Sequence, residues 1–519
     1  MTKTCKQCAK NFELTEDDSS FYEKVSPVFQ GKKYLISTPS FCSDCSLQRK
    51  FVWRNDRHFY ERKCNRSGQD IISMFSADAK VNVYHKDWWW KDDWDAKDYG
   101  QDFDFSRSFF SQFSELIQKV PHAHTITVDS VNSLYTNYNV GNKNCYLCAA
   151  GNHLEDSYYC YNAQESKNCC DCLFVFRCEL CYQCVHCESC YNTNFALNSK
   201  NCADCFFIED CNDLQDCVLC FNLKHKRYCI LNKQYTKEEY QKLLANYELN
   251  TLAGQEAMLQ LWRAESLKYP KKANHNNQTE NCTGDYILQS KNCHNCFIMA
   301  LGCEDCKNIF NGFPYLKDSY NCAYSGENAT LLYECMGSGS NVYNTVFGYL
   351  CLVGSSNLLY STYMFSSKNC FGCSNMRNAE YCILNKQYSK EEYEALVPKI
   401  IEHMQATGEW GDFFPPEISP FHYEETLATE YFPLNESGKE PGAKIFNMIK
   451  QEIEFYQKKG LPAPTKHPDI RHLERLRLCN PARFWQRDCA NCQISIQTTY
   501  APDRPETVYC ENCYLNLVY

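Results

Sequence analysis

Residues Asn142, Lys143, Asn144 and Cys145 open a phrase that recurs through the middle of this 519-residue chain. The phrase returns with serine in the first position at residues 166–169, 199–202, 290–293 and 367–370. The spacings within each half are close to multiples of eleven or twelve residues, and a unit that short cannot bury its own apolar face. We therefore predict that the units stack as a parallel β-solenoid, in which two units form a coil of about 22 to 24 residues.

A larger duplication encloses these units. Residues 228–240 reappear as residues 381–393 with one substitution, Ser389 in place of Thr236. In each copy a glutamate follows the hydroxyl residue by three positions, which is the capping-box signature of a helix start. The sequence thus predicts two solenoid blocks, each followed by a helix that covers the open strand edges of its last coil.

Composition argues against a disordered chain and against a membrane-spanning protein. The chain has 38 cysteines, a net charge of −10 and 44% hydrophobic residues, a composition too apolar for wholesale disorder. No segment approaches the roughly 18 uncharged apolar residues of a membrane span. Because residues 1–8 contain no apolar stretch behind a basic start, we expect no export signal and a reducing, cytoplasmic compartment. Clustered thiols there indicate metal ligands or small buried side chains.

The C-terminal cysteines have the spacing of a zinc ribbon. Cys489 and Cys492 form one CxxC pair, and Cys510 and Cys513 form a second pair after seventeen intervening residues. Two such knuckles supply four thiolates to a closed tetrahedral site. A thiol-lined loop without metal is the alternative.

The N-terminal region repeats this pairing across a longer loop. Its ligand candidates are Cys5, Cys8, Cys42 and Cys45. Four protein ligands leave no coordination position for a substrate, so we predict two structural Zn²⁺ sites in the chain.

The two ends also match each other. Aromatic, cysteine and turn residues coincide after a shift of 425 positions, among them Asn55 with Asn480, Arg62 with Arg487 and Cys64 with Cys489. We infer two diverged copies of one module that originally held two zinc sites. The first copy has lost its second site, where Ser67, His85 and Trp88 stand at ligand positions. The second copy has lost its first site, where His467 and Ile470 replace Cys42 and Cys45. Cys64 and Cys479 are then leftovers.

The role of the cysteines in the middle of the chain stays open. Their densest run has a period of three: Cys178, Cys181, Cys184, Cys187 and Cys190. A ferredoxin-type iron–sulfur run would end in cysteine followed by proline, whereas Tyr191 follows Cys190. Ladders of small buried thiols, additional zinc or iron, and disulfides are the three interpretations.

No catalytic motif stands out. Tryptophans alternate with aspartates over residues 86–104, which favours either a calcium or stacking site or a packed hydrophobic plug with a solvated acidic rim. A helix with Phe109, Phe113 and Leu116 on its buried face follows. The chain has no P-loop, dinucleotide-binding glycine motif, nucleophile elbow or HExxH motif. We therefore predict no enzymatic activity and identify no small-molecule substrate.

Basic residues with interleaved aromatics lie beside both cysteine modules. The arginines are Arg49, Arg54, Arg57 and Arg62 in the first stretch and Arg475, Arg483 and Arg487 in the second. Such patches suit the phosphates and exposed bases of RNA or DNA. The negative overall charge opposes that binding, and a solvated helical face with core aromatics is the alternative.

Together these patterns predict a mainly β chain: a duplicated parallel β-solenoid with capping helices, flanked by zinc-ribbon-like modules. The predicted segments are the N-terminal module (1–85), an aromatic and acidic segment with a helix (86–128), block 1 of the solenoid (129–235), a helical cap and linker (236–280), block 2 (281–388), a second helical cap and linker (389–440), and the C-terminal module (441–519).

A family resemblance agrees with this organisation. Leu461, Pro462 and residues 498–506 at one end, and Arg54, Asn55 and residues 71–74 at the other, resemble cysteine-rich zinc-ribbon proteins of candidate-phyla (Patescibacteria-like) bacteria. The resemblance implies zinc ribbons but no established activity. Coenzyme A transferase labels are attached to some such chains, and no residues here support them. The resemblance also implies a CPxCR knuckle where this chain has His-Pro-Asp-Ile-Arg at residues 467–471.

Two classes of function remain. We favour a zinc-stabilised scaffold whose solenoid surface binds a protein partner. The alternative is a factor that associates with RNA, DNA or the ribosome through its terminal modules. Salt-dependent RNA binding would distinguish the two classes.

Overall fold

The computed structural model describes residues 1–173, 189–434 and 446–518, which form a mixed α/β protein with many short strands. The chain divides into two compact units that do not follow its order. Unit 1 comprises Met1–His124 and Asn274–Pro433, and unit 2 comprises Thr125–Ala273 and Leu434–Tyr519. The N-terminal module therefore shares a unit with block 2, and the C-terminal module shares a unit with block 1. None of the described helices is both long and apolar enough to cross a bilayer.

The N-terminal part of unit 1 is built from small sheets and short helices. The described helices of unit 1 are Glu16–Val25, Ser43–Phe51, Lys86–Trp89, Phe109–Lys119, Lys390–Thr407 and Leu427–Tyr431. Three antiparallel pairs are Thr2–Thr4 with Asn11–Glu13, Val28–Phe29 with Lys32–Lys33, and Tyr60–Lys63 with Asp70–Ser73. Strand Val83–Tyr84 pairs in parallel with His122–Ala123.

Block 2 is a ladder of short parallel strands. The main sheet runs in the order Lys291–His294, Glu304–Lys307, Lys317–Tyr320, Thr330–Tyr333, Tyr343–Val346, Ser356–Leu359, Lys368–Phe371 and Glu380–Ile383, and ends on the antiparallel strand Lys386–Gln387. Smaller parallel sheets join Gly284–Ile287, Cys296–Met299 and Phe310–Gly312, and join Tyr349–Leu352 to Thr362–Phe365.

The register of this ladder differs from the predicted period. Lys291 pairs with Glu304, 13 positions later, and Lys368 pairs with Glu380, 12 positions later. Each rung of the ladder is therefore a single repeat unit, about half the predicted coil of 22 to 24 residues. The prediction erred because it combined two units into each coil.

Unit 2 has the same components in another order along the chain. Its described helices are Lys237–Leu244, Leu252–Ser266, Lys450–Lys459, Pro468–Leu476 and Glu511–Val518. In block 1 the strands are Thr127–Val128, Asn139–Val140, Asn194–Leu197, Phe206–Glu209, Asn212–Val218, Lys224–Ile230 and Lys233–Gln234, supplemented by parallel bridges such as Lys143 with Glu155. The C-terminal module has the antiparallel pair Trp485–Asp488 and Ser495–Thr498, and Val508–Tyr509 pairs in parallel with Lys271–Lys272.

A three-residue period underlies both ladders. Non-glycine residues with positive φ recur at every third position, for example Asn144, Leu147 and Ala150 in block 1. Asparagine and aspartate hold many of these positions because they tolerate the left-handed region better than most residues. The residue that follows is small and buried, as Cys145 and Cys148 are. Four such triplets make one rung of 12 residues.

The small buried residues of the ladders bond to backbone carbonyls. The Cys306 Sγ lies 3.2 Å from the carbonyl oxygen of Glu304, and the Ser319 Oγ lies 2.7 Å from that of Lys317. Cys306 and Ser319 are partners in neighbouring rungs. A thiol and a hydroxyl thus make the same contact, and all described cysteines are free thiols. These observations favour the thiol-ladder interpretation. Cys178, Cys181, Cys184 and Cys187 lie outside the described residues.

Polar side chains link successive rungs of the ladders. In block 2 the amide of Asn295 donates to Asn308 at 2.7 Å, Asn308 donates to Asn321 at 2.7 Å, and Asn321 donates to Glu334 at 3.1 Å. Each amide is both donor and acceptor, so the column links successive rungs.

Both predicted capping helices are confirmed. Thr236 with Glu239, and Ser389 with Glu392, form capping boxes at the starts of Lys237–Leu244 and Lys390–Thr407. Each helix packs a tyrosine against the last rung of its block: the Tyr240 and Tyr228 rings are 5.8 Å apart, and the Tyr393 and Tyr381 rings are 5.7 Å apart.

One tryptophan of residues 86–104 is packed inside unit 1. Trp89 is buried, whereas Trp90 is 42% exposed and Asp92 lies in solvent. Arg377 donates to the carbonyl oxygens of Trp90 and Lys91 at 2.7 and 2.8 Å and lies over the Trp89 ring. The predicted hydrophobic plug with an acidic rim is therefore present only in part.

Candidate metal centres

Four thiols of the N-terminal module converge. Cys5 and Cys8 lie in the turn between the first two strands, and Cys42 and Cys45 lie at the start of helix Ser43–Phe51. Their Sγ atoms all lie within 4.8 Å of one another, and the Sγ atoms of Cys8 and Cys42 are 3.7 Å apart. Zinc–sulfur bonds of about 2.3 Å give a tetrahedron with edges of about 3.8 Å. The four thiols therefore can hold one metal ion.

The C-terminal module repeats this construction. Cys489 and Cys492 lie in the turn between strands Trp485–Asp488 and Ser495–Thr498, and Cys510 and Cys513 lie at the start of helix Glu511–Val518. All four Sγ atoms again lie within 4.8 Å, with 3.8 Å between those of Cys492 and Cys510. The structure thus assembles both predicted ligand sets. No further group of three or more candidate ligands has this spacing within the described residues.

Both knuckles are tight turns with the same backbone bonds. The Cys5 amide donates to the carbonyl of Lys10 at 2.9 Å, and the Cys489 amide donates to that of Ile494 at 2.8 Å. A third turn has this geometry without the thiols, because the Cys64 amide donates to the Gln69 carbonyl at 2.8 Å. Ser67, His85 and Trp88 stand where the other ligands would be, as the sequence predicts.

The 425-residue correspondence is confirmed by the elements themselves. Tyr60–Lys63 and Asp70–Ser73 match Trp485–Asp488 and Ser495–Thr498 at that shift. Arg62 donates to the carbonyl of Ser76, and Arg487 donates to the carbonyl of Ala501. These acceptors are also 425 positions apart, so the two modules share their local architecture.

Each knuckle stabilises a thiolate. Burial opposes ionisation of Cys5, but the amides of Cys8, Cys42 and Gln7 outweigh it and lower the pKa of the Cys5 thiol to about 6. The same balance, with the amides of Cys492, Cys510 and Asn491, lowers the pKa of Cys489 to about 6. Thiolates are the form that binds metal, so one ligand of each cluster is prepared for it.

Buried ion pairs, which the sequence did not predict, connect each module to its block. In unit 1 the Lys50 Nζ lies 2.5 Å from Glu334 Oε2, and Ser46 Oγ donates to the same carboxylate at 2.8 Å. In unit 2 Arg471 and Arg475 both donate to the Asp171 carboxylate. Arg471 and Arg475 correspond to Ser46 and Lys50 after the 425-residue shift. Equivalent positions of the two matching helices therefore carry the polar contacts between each module and its block.

Most of the predicted nucleic-acid-binding arginines have internal partners. Arg54 pairs with Asp56, Arg57 lies near Glu430, Arg49 lies over the Phe41 ring, Arg475 pairs with Asp171, and Arg62 and Arg487 donate to backbone carbonyls. Arg483, beside Trp485, is the exposed member of the set. This placement leaves little of the predicted patch for phosphate groups.

Two histidines of unit 1 are buried and neutral. Burial lowers the pKa of His122 to about 4, and burial together with the charges of His85 and Lys86 lowers that of His124 to about 3. The His122 Nε2 lies 2.8 Å from the carbonyl oxygen of Ile117. The His124 carbonyl accepts the Met74 amide at 2.9 Å. These contacts connect His122 to helix Phe109–Lys119 and connect His124 to Met74 of the N-terminal module.

Comparison with known proteins adds no functional assignment. No protein-family model matches the chain, and no curated protein matches it.

Proposed function

We propose that the protein is a non-enzymatic scaffold in which one structural Zn²⁺ ion holds each terminal module together. The observation that carries this proposal is the pair of four-thiol clusters, with Sγ separations of 3.7 and 3.8 Å. These separations suit the edge of a zinc–thiolate tetrahedron, about 3.8 Å. Soft thiolates in tetrahedral arrangement favour zinc over magnesium or calcium, and a closed set of four assigns the ion a structural role.

We also propose that the two parallel ladders are blocks of one duplicated β-solenoid. The 12- and 13-residue registers and the three-residue period support this proposal. Alternating charges along block 2, with Lys291 at 2.9 Å from Glu280 and Lys317 at 2.8 Å from Glu304, make a long polar face. Such a face suits a protein partner. The zinc-ribbon family resemblance and the cytoplasmic location stay predictions.

The nucleic-acid alternative has weaker support. Buried ion pairs occupy Arg54 and Arg475, and Arg483 is the exposed arginine of the candidate set. If the alternative holds, an RNA oligonucleotide will bind with a steep dependence on salt, and Arg483→Gln will weaken that binding.

Metal quantification of the natively purified chain tests the zinc proposal. We expect two zinc ions per chain, and one in the Cys8→Ser, Cys42→Ser double variant. Cys64→Ser is the matched control, because Cys64 occupies a knuckle without a ligand set, and it should keep both ions. A chain that binds no zinc, or a double variant that keeps two ions, would overturn the proposal.

A further inference from the structure

In the first rung of block 1, residues 127–138, the segment around Val131 has one side paired with the next rung and one open side. On the paired side the Val131 amide donates to the Asn142 carbonyl at 2.8 Å, and the Asn144 amide donates to the Val131 carbonyl at 3.0 Å. The equivalent amide in the third rung, that of Asp156, likewise donates to the Lys143 carbonyl at 3.0 Å. For the Asn132 amide and the Ser130 carbonyl, the described part of the chain offers no such partner.

This open edge exposes two apolar side chains and carries little charge. Val131 and Leu134 are 65% and 74% exposed. Residues 125–142 contain no lysine or arginine and a single acid, Asp129. Natural proteins protect exposed strand edges with charge or with a covering element, because unprotected edges pair with other chains.

The other ladder ends show such protection. Strands Lys233–Gln234 and Lys386–Gln387 cover the last rungs of blocks 1 and 2. The first rung of block 2 exposes polar side chains, those of Asn277, Gln278 and Glu280. The start of block 1 is thus the end that combines open backbone groups with exposed apolar side chains.

We propose that this edge is a homodimer surface, on which the first rung of block 1 pairs antiparallel with the same rung of a second copy of the chain. The Ser130 carbonyl and the Asn132 amide flank Val131 on the open side. A two-fold axis beside Val131 places each carbonyl opposite the amide of the other copy, so two hydrogen bonds form. Such an isologous contact is self-complementary, as a two-fold dimer requires.

The geometry and charge favour a second copy over an unrelated strand. Val131 lies opposite Val131 of the second copy in a non-hydrogen-bonded antiparallel pair, with Cα atoms about 4.5 Å apart. Two valines meeting there exclude water from both new hydrogen bonds. Like charges directly opposite each other would oppose self-pairing, and this edge carries almost none. The surface shares no residue with the metal clusters, so metal content and dimerisation can fail independently.

Sedimentation of the full-length protein over a concentration series tests the proposal. We expect a reversible dimer. Val131→Lys places two like charges across the axis, and Leu134→Lys puts a charge on the contact opposite residue 128 of the second copy. For each variant we expect dimer affinity to fall by roughly tenfold or more. Val353→Lys is the matched control, since Val353 is 53% exposed in block 2, and it should not change the affinity. A wild-type chain that stays monomeric, or a dimer insensitive to both block 1 substitutions, overturns the proposal.

Cysteine cross-linking gives a second measurement that does not depend on disrupting the surface. The expected Cα separation of about 4.5 Å at position 131 falls within the range that a disulfide spans. Val131→Cys should therefore form a covalent dimer under mild oxidation, in excess of wild type, whereas Val353→Cys should not. Equal cross-linking of the two variants would contradict the two-fold pairing.

Discussion

Replacing Lys50 with methionine is expected to destabilise unit 1 by about 3 to 5 kcal/mol, because it removes the cation that pairs with the buried Glu334 carboxylate. Lys50 and Glu334 are 1% and 5% exposed, and their charged atoms are 2.5 Å apart. Ser46 and Asn321 still donate to the carboxylate, but neither supplies a positive charge. Methionine retains most of the lysine stem, so the lost packing is a minor part of the effect.

Denaturant unfolding followed by tryptophan fluorescence measures this change. Six of the eight tryptophans lie in unit 1, so the signal reports mainly on that unit. Lys63→Met is the control: Lys63 and Asp70 are 2.6 Å apart but 68% and 81% exposed, and the loss there should stay below about 1 kcal/mol. Adding Glu334→Gln to Lys50→Met should recover much of the loss, since it removes the unpaired charge. The reasoning is refuted if Lys50→Met and Lys63→Met unfold alike, or if the double variant is no more stable than Lys50→Met.

Three further outcomes are expected. Unit 1 should lose stability as the pH falls from 6.5 towards 4, because the unfolded chain protonates His122 near pH 6.5 whereas the folded chain does so only near pH 4. This difference amounts to roughly 3 kcal/mol of unfolding free energy; comparing the pH dependence of unfolding of wild type and His122→Asn checks it, and identical profiles would contradict it. Converting Ser67, His85 and Trp88 to cysteine together should raise the metal content from two ions to three, because the Cys64 turn keeps the knuckle geometry; an unchanged content by mass spectrometry would show that more than thiols was lost. Cys306→Ser should lower the free energy of unfolding by about 1 kcal/mol or less, because Ser319 makes the same contact in the next rung, whereas Cys306→Leu should lower it by about 1 to 3 kcal/mol through overpacking. Equal losses of stability in denaturant unfolding would contradict the thiol-ladder interpretation.

The repeated phrases in the sequence predicted where the ladders lie but not the length of their rungs. The recurrence of Ser-Lys-Asn-Cys and the duplicated residues 228–240 and 381–393 correctly located the repeats and the two capping helices. The length of a rung was overestimated, because the spacing of the repeated phrase does not say how many units make one rung. The sequence shows a three-residue period in the run that ends at Cys190, and positive φ values at every third residue mark the same period in the described rungs.

The basic patches show a different limit. Arg54 and Arg475 stand among aromatic residues in sequence, which is typical both of nucleic-acid contacts and of buried ion pairs. Their carboxylate partners show that both arginines form buried ion pairs, and the two partners lie at very different distances in the sequence. Asp56 lies two positions from Arg54, whereas Asp171 lies about three hundred positions from Arg475. A composition count over a short segment detects the cations and misses a partner so far away.

The sequence by itself determined the local chemistry of this protein. The CxxC pairs and the capping boxes depend on residues a few positions apart, the 425-residue correspondence appears when the two ends are aligned, and the structure contains each of them. Only the tertiary structure decided that the N-terminal module belongs with block 2 and the C-terminal module with block 1. That choice depends on contacts such as Lys50 with Glu334 and Arg471 with Asp171. In each pair the attraction between the charges offsets the cost of burying them, and no local pattern encodes the contact because the partners are 284 and 300 positions apart.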